Sequence, residues 1–293
     1  MVMIKDFQNL INFASKKYKD KDYIISARDN SRNYSFNDLK KFKNKFNIFL
    51  ENNKIKNQEK ILIIMHNSDL LSLLFLTIIS NSRIFVPVNP KSSVEEVNYI
   101  IQQTEPKILL SFINYKNKFN NLKISKKLFI ESEKDFVSNI LNLEEKKFKK
   151  EYFKNKSIAQ ILFTSGSTGR PKGVVLTQES IMFNLYGIKQ RLNINDHRPR
   201  FLAVTPLFHN NGQFIPTLLP LLIGGTTTPI QSETSIINFW DVSLKKKINY
   251  SSVMATHINY FLKMNVKLKG NKIKCLFCGG AKLEEVTRIK FQK

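Results

Sequence analysis

The densest chemistry in the sequence lies in eleven consecutive residues, Phe163-Thr164-Ser165-Gly166-Ser167-Thr168-Gly169-Arg170-Pro171-Lys172-Gly173. Glycine tolerates backbone dihedrals closed to other residues. Gly166, Gly169 and Gly173 therefore let main-chain N–H groups turn inward as an anion nest. Thr164, Ser165, Ser167 and Thr168 add hydroxyls, and Lys172 adds a mobile ammonium. Such a set suits a polyphosphate. The string follows an apolar run and is expected to lead into a helix. It is neither a Walker loop nor a dinucleotide fingerprint, because the Gly-Lys-Ser/Thr and Gly-x-Gly-x-x-Gly spacings are missing.

A second segment, Pro206-Leu207-Phe208-His209-Asn210-Asn211-Gly212, carries one titratable side chain. An imidazole donates a hydrogen bond to an anion in either neutral tautomer. A histidine here could equally cap the helix that follows or pack beneath it. Cys275 and Cys278 form a Cys-x-x-Cys pair, which supplies too few ligands for zinc. A separation of three also puts them on opposite faces of a strand. No metal ligands are expected. His66, His197 and His257 suggest no chemistry, Trp240 reads as core, and Asp196 and Arg198 read as a solvated turn.

The elements that must hold these residues alternate along the chain. Strands are expected at 61–65, 84–88, 107–111, 128–130, 158–163, 201–204, 226–229, 250–253 and 273–277, from short apolar or β-branched runs. Helices are expected after Ser35, after Ser68, after Ser93 with Glu96 as its capping partner, and over 178–190, 213–222, 235–246, 257–263 and 283–291. Alternating strands and helices imply an α/β fold with parallel pairing. Residues 114–156 are Lys/Asn-rich and largely linker-like. Two sheet-and-helix lobes, about 1–155 and 156–293, are expected.

The eleven-residue string resembles the phosphate-binding signature of the acyl-adenylate-forming superfamily, which includes acyl-CoA synthetases and peptide-synthetase adenylation domains. The resemblance extends to Tyr34–Leu39, to Glu59–Ser68 with Arg83–Pro90, to Pro206–Gly212 and to Cys278–Leu283. It implies the large N-terminal domain of an acetyl-CoA-synthetase-like fold, incomplete at its C-terminus. It implies that Thr164 through Gly169 and Lys172 hold the β- and γ-phosphates of ATP, with Lys172, His209 and Thr164 as catalytic groups. His209 would sit beside the acyl carboxylate, and Gly279, Gly280 and Ala281 would lie against adenine. ATP, Mg2+ and coenzyme A are the implied cofactors, and a small-molecule carboxylic acid is the implied substrate. Members of this superfamily continue into a Gly-x-Thr-Glu motif, a ribose-binding Asp and a small C-terminal domain with a catalytic Lys. The expectation is therefore a truncated or split ligase with weak or absent turnover, either paired with a separate C-terminal half or self-associating. The alternative is a non-catalytic nucleotide- or acyl-binding remnant.

The net charge of +24 raises nucleic acid as a partner. Only eight of the 47 basic residues are arginine, the usual reader of phosphate and guanine. The lysines are spread among Asn and Ile, as compositional drift would leave them, so no nucleic-acid partner is expected. Two cysteines argue against a disulfide framework. The longest apolar run, 70–79, is about half the ~20 residues of a membrane span. A cytoplasmic protein is expected.

Overall fold

The computed structural model describes residues 3–145, 157–164, 170–231, 236–264 and 270–292. Twelve strands are present among them: β1 (Asp22–Ile24), β2 (Tyr34–Ser35), β3 (Lys60–Ile64), β4 (Ile84–Val88), β5 (Ile108–Phe112), β6 (Lys127–Ile130), β7 (Ile158–Thr164), β8 (Lys172–Thr177), β9 (Arg200–Ala203), β10 (Thr226–Pro229), β11 (Tyr250–Val253) and β12 (Cys275–Cys278). They form two six-stranded sheets, ordered β6-β5-β3-β4-β7-β8 and β12-β11-β9-β10-β1-β2. Each is parallel except for one antiparallel pair at an edge, β7 with β8 and β1 with β2. Strands buried on both faces read as continuous apolar runs, and β3, β4 and β5 have that character.

The chain divides into two compact units. The first holds residues 1–19, 36–66 and 73–186, and the second 20–35, 67–72 and 187–293. A single cut near residue 155 does not describe this division. β7 and β8 join the first sheet through β4, and the early strands β1 and β2 join the second through β10.

In the first unit the sheet core is built from Leu62, Ile64, Val86, Val97, Ile100 and Leu109. The helix Val94–Thr104 packs Val97, Ile100 and Ile101 inward, and Ser93 Oγ accepts from the Glu96 N–H at 3.1 Å. That is the expected cap, worth about 1 kcal/mol. The stretch expected to be linker-like is folded as far as residue 145. Phe119, Leu122 and Ile124 enter the same core, and a helix spans Glu133–Leu141 with Ser132 as its cap. In the second unit Leu202, Val204, Phe239, Trp240, Val253 and Phe261 form the core. Trp240 is thus core, as read. Asp196 is not left to solvent: it accepts hydrogen bonds from the Tyr250 hydroxyl and the Lys274 ammonium, which hold its carboxyl below the usual range. No helix among the described residues is long and apolar enough to cross a membrane.

Candidate active site

In the first unit, β7 delivers the start of the eleven-residue string. The helix expected over 178–190 begins at Gln178, but a strand that was not expected, β8, stands between it and the string. β7 and β8 are antiparallel partners, with Thr164 opposite Lys172 and Phe163 opposite Gly173. The string therefore joins a strand to a strand and not a strand to a helix. Thr164 and Lys172 are both exposed at its base. Among the described residues no carboxylate pairs with Lys172. Ser165, Gly166, Ser167, Thr168 and Gly169 lie outside the described residues.

Gly173 serves a purpose other than unusual dihedrals. A Cβ there would meet the Phe163 ring at 3.2 Å and Ile161 Cγ2 at 3.3 Å. Aromatic side chains packed over a cross-strand glycine steady an edge strand, and Phe163 does so here.

In the second unit, β9 is flanked by β10 on one side and β11 on the other; the chain from β9 leads to β10 and the chain from β11 leads to β12, so these two connections diverge at the carboxyl ends of β9 and β11. Ligands of open α/β sheets bind outside such ends. The chain leaving β9 runs through Thr205 to His209, and the chain leaving β12, on the far side of β11, runs into Gly279–Ala281. Two interactions fix the first exit. Asn67 is buried, donates Nδ2–H to the carbonyls of Ala203 at 3.3 Å and Thr205 at 3.0 Å, and accepts the Leu207 N–H at 2.9 Å. Thr205 Oγ1 donates to the Ser252 carbonyl on β11 at 3.0 Å.

His209 occupies the position that precedes the helix Asn210–Gln213, yet its side chain makes no capping hydrogen bond. The capping histidine is instead His257, whose Nδ1 lies 3.4 Å from the Met254 N–H. The His209 ring lies 4.6 Å from the Phe208 ring. Its edge reaches solvent, but the protein packed around it strips enough water to lower its pKa below the ordinary imidazole value. Among the described residues no hydrogen bond takes its ring nitrogens, and the lowered pKa favours the neutral imidazole.

The helix after His209 continues with π geometry over Phe214–Leu218 and α geometry over Leu219–Ile223. Pro216 has no N–H to give the Gly212 carbonyl four residues back. The Thr217 hydroxyl supplies the missing donor at 3.0 Å. Gly212 itself is pressed against the chain: a Cβ would sit 2.3 Å from the Pro206 carbonyl oxygen and 2.5 Å from that of Thr205.

Asn211, which the sequence reading assigned no role, lies on the first exit and packs close against the second. Its Nδ2 lies 3.0 Å from where a Cβ on Gly279 would stand and 3.3 Å from one on Gly280. Gly280 has φ of +84°, a left-handed conformation that favours glycine. The Gly279 N–H donates to the Val253 carbonyl at the end of β11 at 3.0 Å, and Ala281 is exposed beside this turn. Neither Asn67 nor Asn211 could be found from spacing, because their partners are set by tertiary contacts.

Cys275 and Cys278 share β12 as free thiols, Cys275 exposed and Cys278 against the core. Burial pushes both pKa values up. Among the described residues no three His, Cys, Asp or Glu side chains gather into a metal cluster.

Two six-stranded, largely parallel sheets, with the eleven-residue string leaving one and the His209 segment leaving the other, have the fold of the large N-terminal domain of acyl-CoA-synthetase-like, adenylate-forming ligases. The chain belongs to the AMP-binding enzyme family, whose family model matches residues 12–293. It is 31% identical over 198 residues to the D-alanine--D-alanyl carrier protein ligase of Listeria monocytogenes serotype 4a, covering 67% of this chain and 38% of that protein. It is 34% identical over 105 residues to the sulfoacetate--CoA ligase of Cupriavidus necator, covering 36% of this chain and 20% of that protein. The chain thus spans well under half the length of these relatives. In fold it is similar to the fatty acyl-adenylate ligase of L. pneumophila, solved with acyl adenylate and pyrophosphate (TM-score 0.84, 19% identity, 98% of this chain and 52% of that one). It is also similar to the O-succinylbenzoate coenzyme A synthetase of Bacillus subtilis, solved with AMP (TM-score 0.82, 17% identity, 97% and 56%).

Proposed function

We propose that this chain carries acid-activating residues of an ATP-dependent acid–thiol ligase. In the first step a carboxylate oxygen bonds to the α-phosphorus of ATP as the α–β phosphoanhydride bond breaks, giving acyl-AMP and pyrophosphate. In the second, a thiol, of coenzyme A or of a carrier protein, takes the acyl group and AMP leaves. Residues 164–169 and Lys172 hold the β- and γ-phosphates and steady the charge that grows on the leaving pyrophosphate. Preorganised stabilisation of that kind is usually the largest catalytic term. His209, neutral near pH 7, donates an N–H toward the acid's carboxylate. Gly279, Gly280 and Ala281 offer a flat backbone surface for the adenine.

The observation that carries this reading is the hairpin register, which sets the exposed Lys172 opposite Thr164 at the base of the signature string. Magnesium accompanies nucleoside triphosphates in phosphoryl chemistry, held mainly by the phosphates themselves and one or two carboxylates. The described residues gather no such carboxylates, and none of them is assigned to the metal.

The test is acid-dependent exchange of labelled pyrophosphate into ATP, run against D-alanine, sulfoacetate, fatty acids and aromatic acids. Exchange with one acid class is expected, falling about 10²-fold or more in Lys172→Ala, the scale for removing one transition-state donor. Exchange unchanged in Lys172→Ala would refute the assignment. Nucleotide binding without exchange for any acid would favour a binding remnant.

A further inference from the structure

We propose that Tyr99 is a positioning residue that holds Arg170 close to Lys172 at the start of β8, as a second cation for the proposed phosphate site. The inference deepens the functional reading above and rests on it. The Arg170 guanidinium carbon lies 5.7 Å from the centroid of the Tyr99 ring, within the range of a cation–π contact. Tyr99 is half-buried on the helix Val94–Thr104, whose inward residues Val97, Ile100 and Ile101 seat it in the core of the first unit. The ring is therefore a fixed platform. Arg170, by contrast, sits two residues before the β7–β8 ladder resumes at Lys172. No ladder hydrogen bond orders it, and its long side chain is exposed.

The way Arg170 is held matters to what it can still do. A carboxylate partner would occupy its N–H donors and cancel its charge. An aromatic ring attracts the charge without accepting a conventional hydrogen bond, and so leaves the guanidinium N–H groups available for phosphate oxygens. Among the described residues no hydrogen bond or ion pair takes those donors. Tyr99 thus extends the anchoring of β8 back by two residues and keeps a second cation beside Lys172.

The experiment is titration calorimetry of the chain with pyrophosphate and with MgATP, for the wild type, Tyr99→Phe, Tyr99→Leu, Arg170→Ala and Tyr99→Leu/Arg170→Ala. An exposed cation–π contact corresponds to about a two- to five-fold change in affinity. Tyr99→Leu is expected to weaken pyrophosphate binding by that factor, Tyr99→Phe to restore it, and Tyr99→Leu to add nothing once Arg170 is alanine. Wild-type affinity in Tyr99→Leu overturns the inference alone. So does Phe failing to rescue, or an equal loss from Leu in the Arg170→Ala background, since each marks simple packing. A wild type that binds neither pyrophosphate nor ATP overturns the functional reading, and this inference with it.

Discussion

Replacing Asn67 with alanine should unfold the second unit at markedly lower denaturant. The side chain is 2% exposed and makes three hydrogen bonds to one stretch of backbone. The bond to the Ala203 carbonyl is the longest, at 3.3 Å, and that carbonyl also accepts the Ile230 N–H at 3.2 Å, so losing it costs little. The bonds to Thr205 and Leu207, at 3.0 and 2.9 Å, are ordinary in length. Alanine would leave the Leu207 N–H buried without its acceptor, at about 1–3 kcal/mol, and would remove a further bond worth about 1 kcal/mol. The sum is about 2–4 kcal/mol, a shift of about 1–2 M in a urea midpoint at the ~2 kcal/mol/M typical of small proteins. The single tryptophan, Trp240, lies in the second unit's core, so its fluorescence reports this unit. Asn67→Asp sharpens the test. It keeps an acceptor for Leu207 but turns a carboxylate oxygen toward two carbonyls, which raises the acid's pKa in the folded state. Its stability should be poor at pH 7 and recover as pH falls and the acid protonates to become a donor. A midpoint shift below about 0.5 M for Asn67→Ala, or a fully stable Asn67→Asp at pH 7, would refute the reasoning.

Gly212→Ala should be at least as damaging, because its Cβ would meet two main-chain oxygens at 2.3 and 2.5 Å that no side-chain rotation can relieve. We expect a loss above about 3 kcal/mol, read by the same fluorescence midpoint or as failure to recover soluble protein. Desolvation lowers the folded-state pKa of both His209 and His257, so the unfolded chain takes up their protons first. Stability should be full above the ordinary imidazole pKa and fall as pH drops below it. The midpoint at pH 5.5 should lie below that at pH 7.5, with a smaller difference in His257→Gln, and a flat profile would exclude the effect.

The elements legible in the sequence were those whose own residues settle their state. β4 and β10 match the expected bounds because each is a buried run of mostly β-branched or apolar residues, and β11 matches them although Ser251 and Ser252 stand between Tyr250 and Val253. The helix Val94–Thr104 announces itself through Ser93 and Glu96. β8 could not be read this way. Lys172-Gly173-Val174-Val175-Leu176-Thr177 shows no alternation, and Val174 and Val175 stay 44% and 52% exposed on the sheet edge. It is a strand because β7 offers it a partner, which is tertiary information. The stretch from residue 114 looked like a linker because lysines dilute its apolar residues. Two of those lysines hold the chain together: Lys118 Nζ donates to the Pro90 carbonyl at 3.1 Å, and Lys127 Nζ to the Leu122 carbonyl at 2.9 Å. Composition counts such residues as solvated charge although they close the chain over Phe119 and Leu122.

The intervening strand also changes the electrostatics of the candidate site. In the expected strand–loop–helix arrangement, the positive end of a helix dipole would have faced the phosphates. Here the first helical residue, Gln178, is separated from Lys172 by the whole of β8, roughly 17–20 Å of extended chain. A helix dipole acts over about its first turn, so this helix contributes almost nothing at the string. On the proposed function, attraction for a polyphosphate falls to the string's own donors and side-chain cations. Among the described residues of the string the cations are Lys172 and Arg170. The first is placed by the ladder opposite Thr164, and the second by the ring of Tyr99. The hairpin thus shifts the electrostatic burden of the site from helix to side chain, which is why single substitutions at Lys172 and Tyr99 are informative.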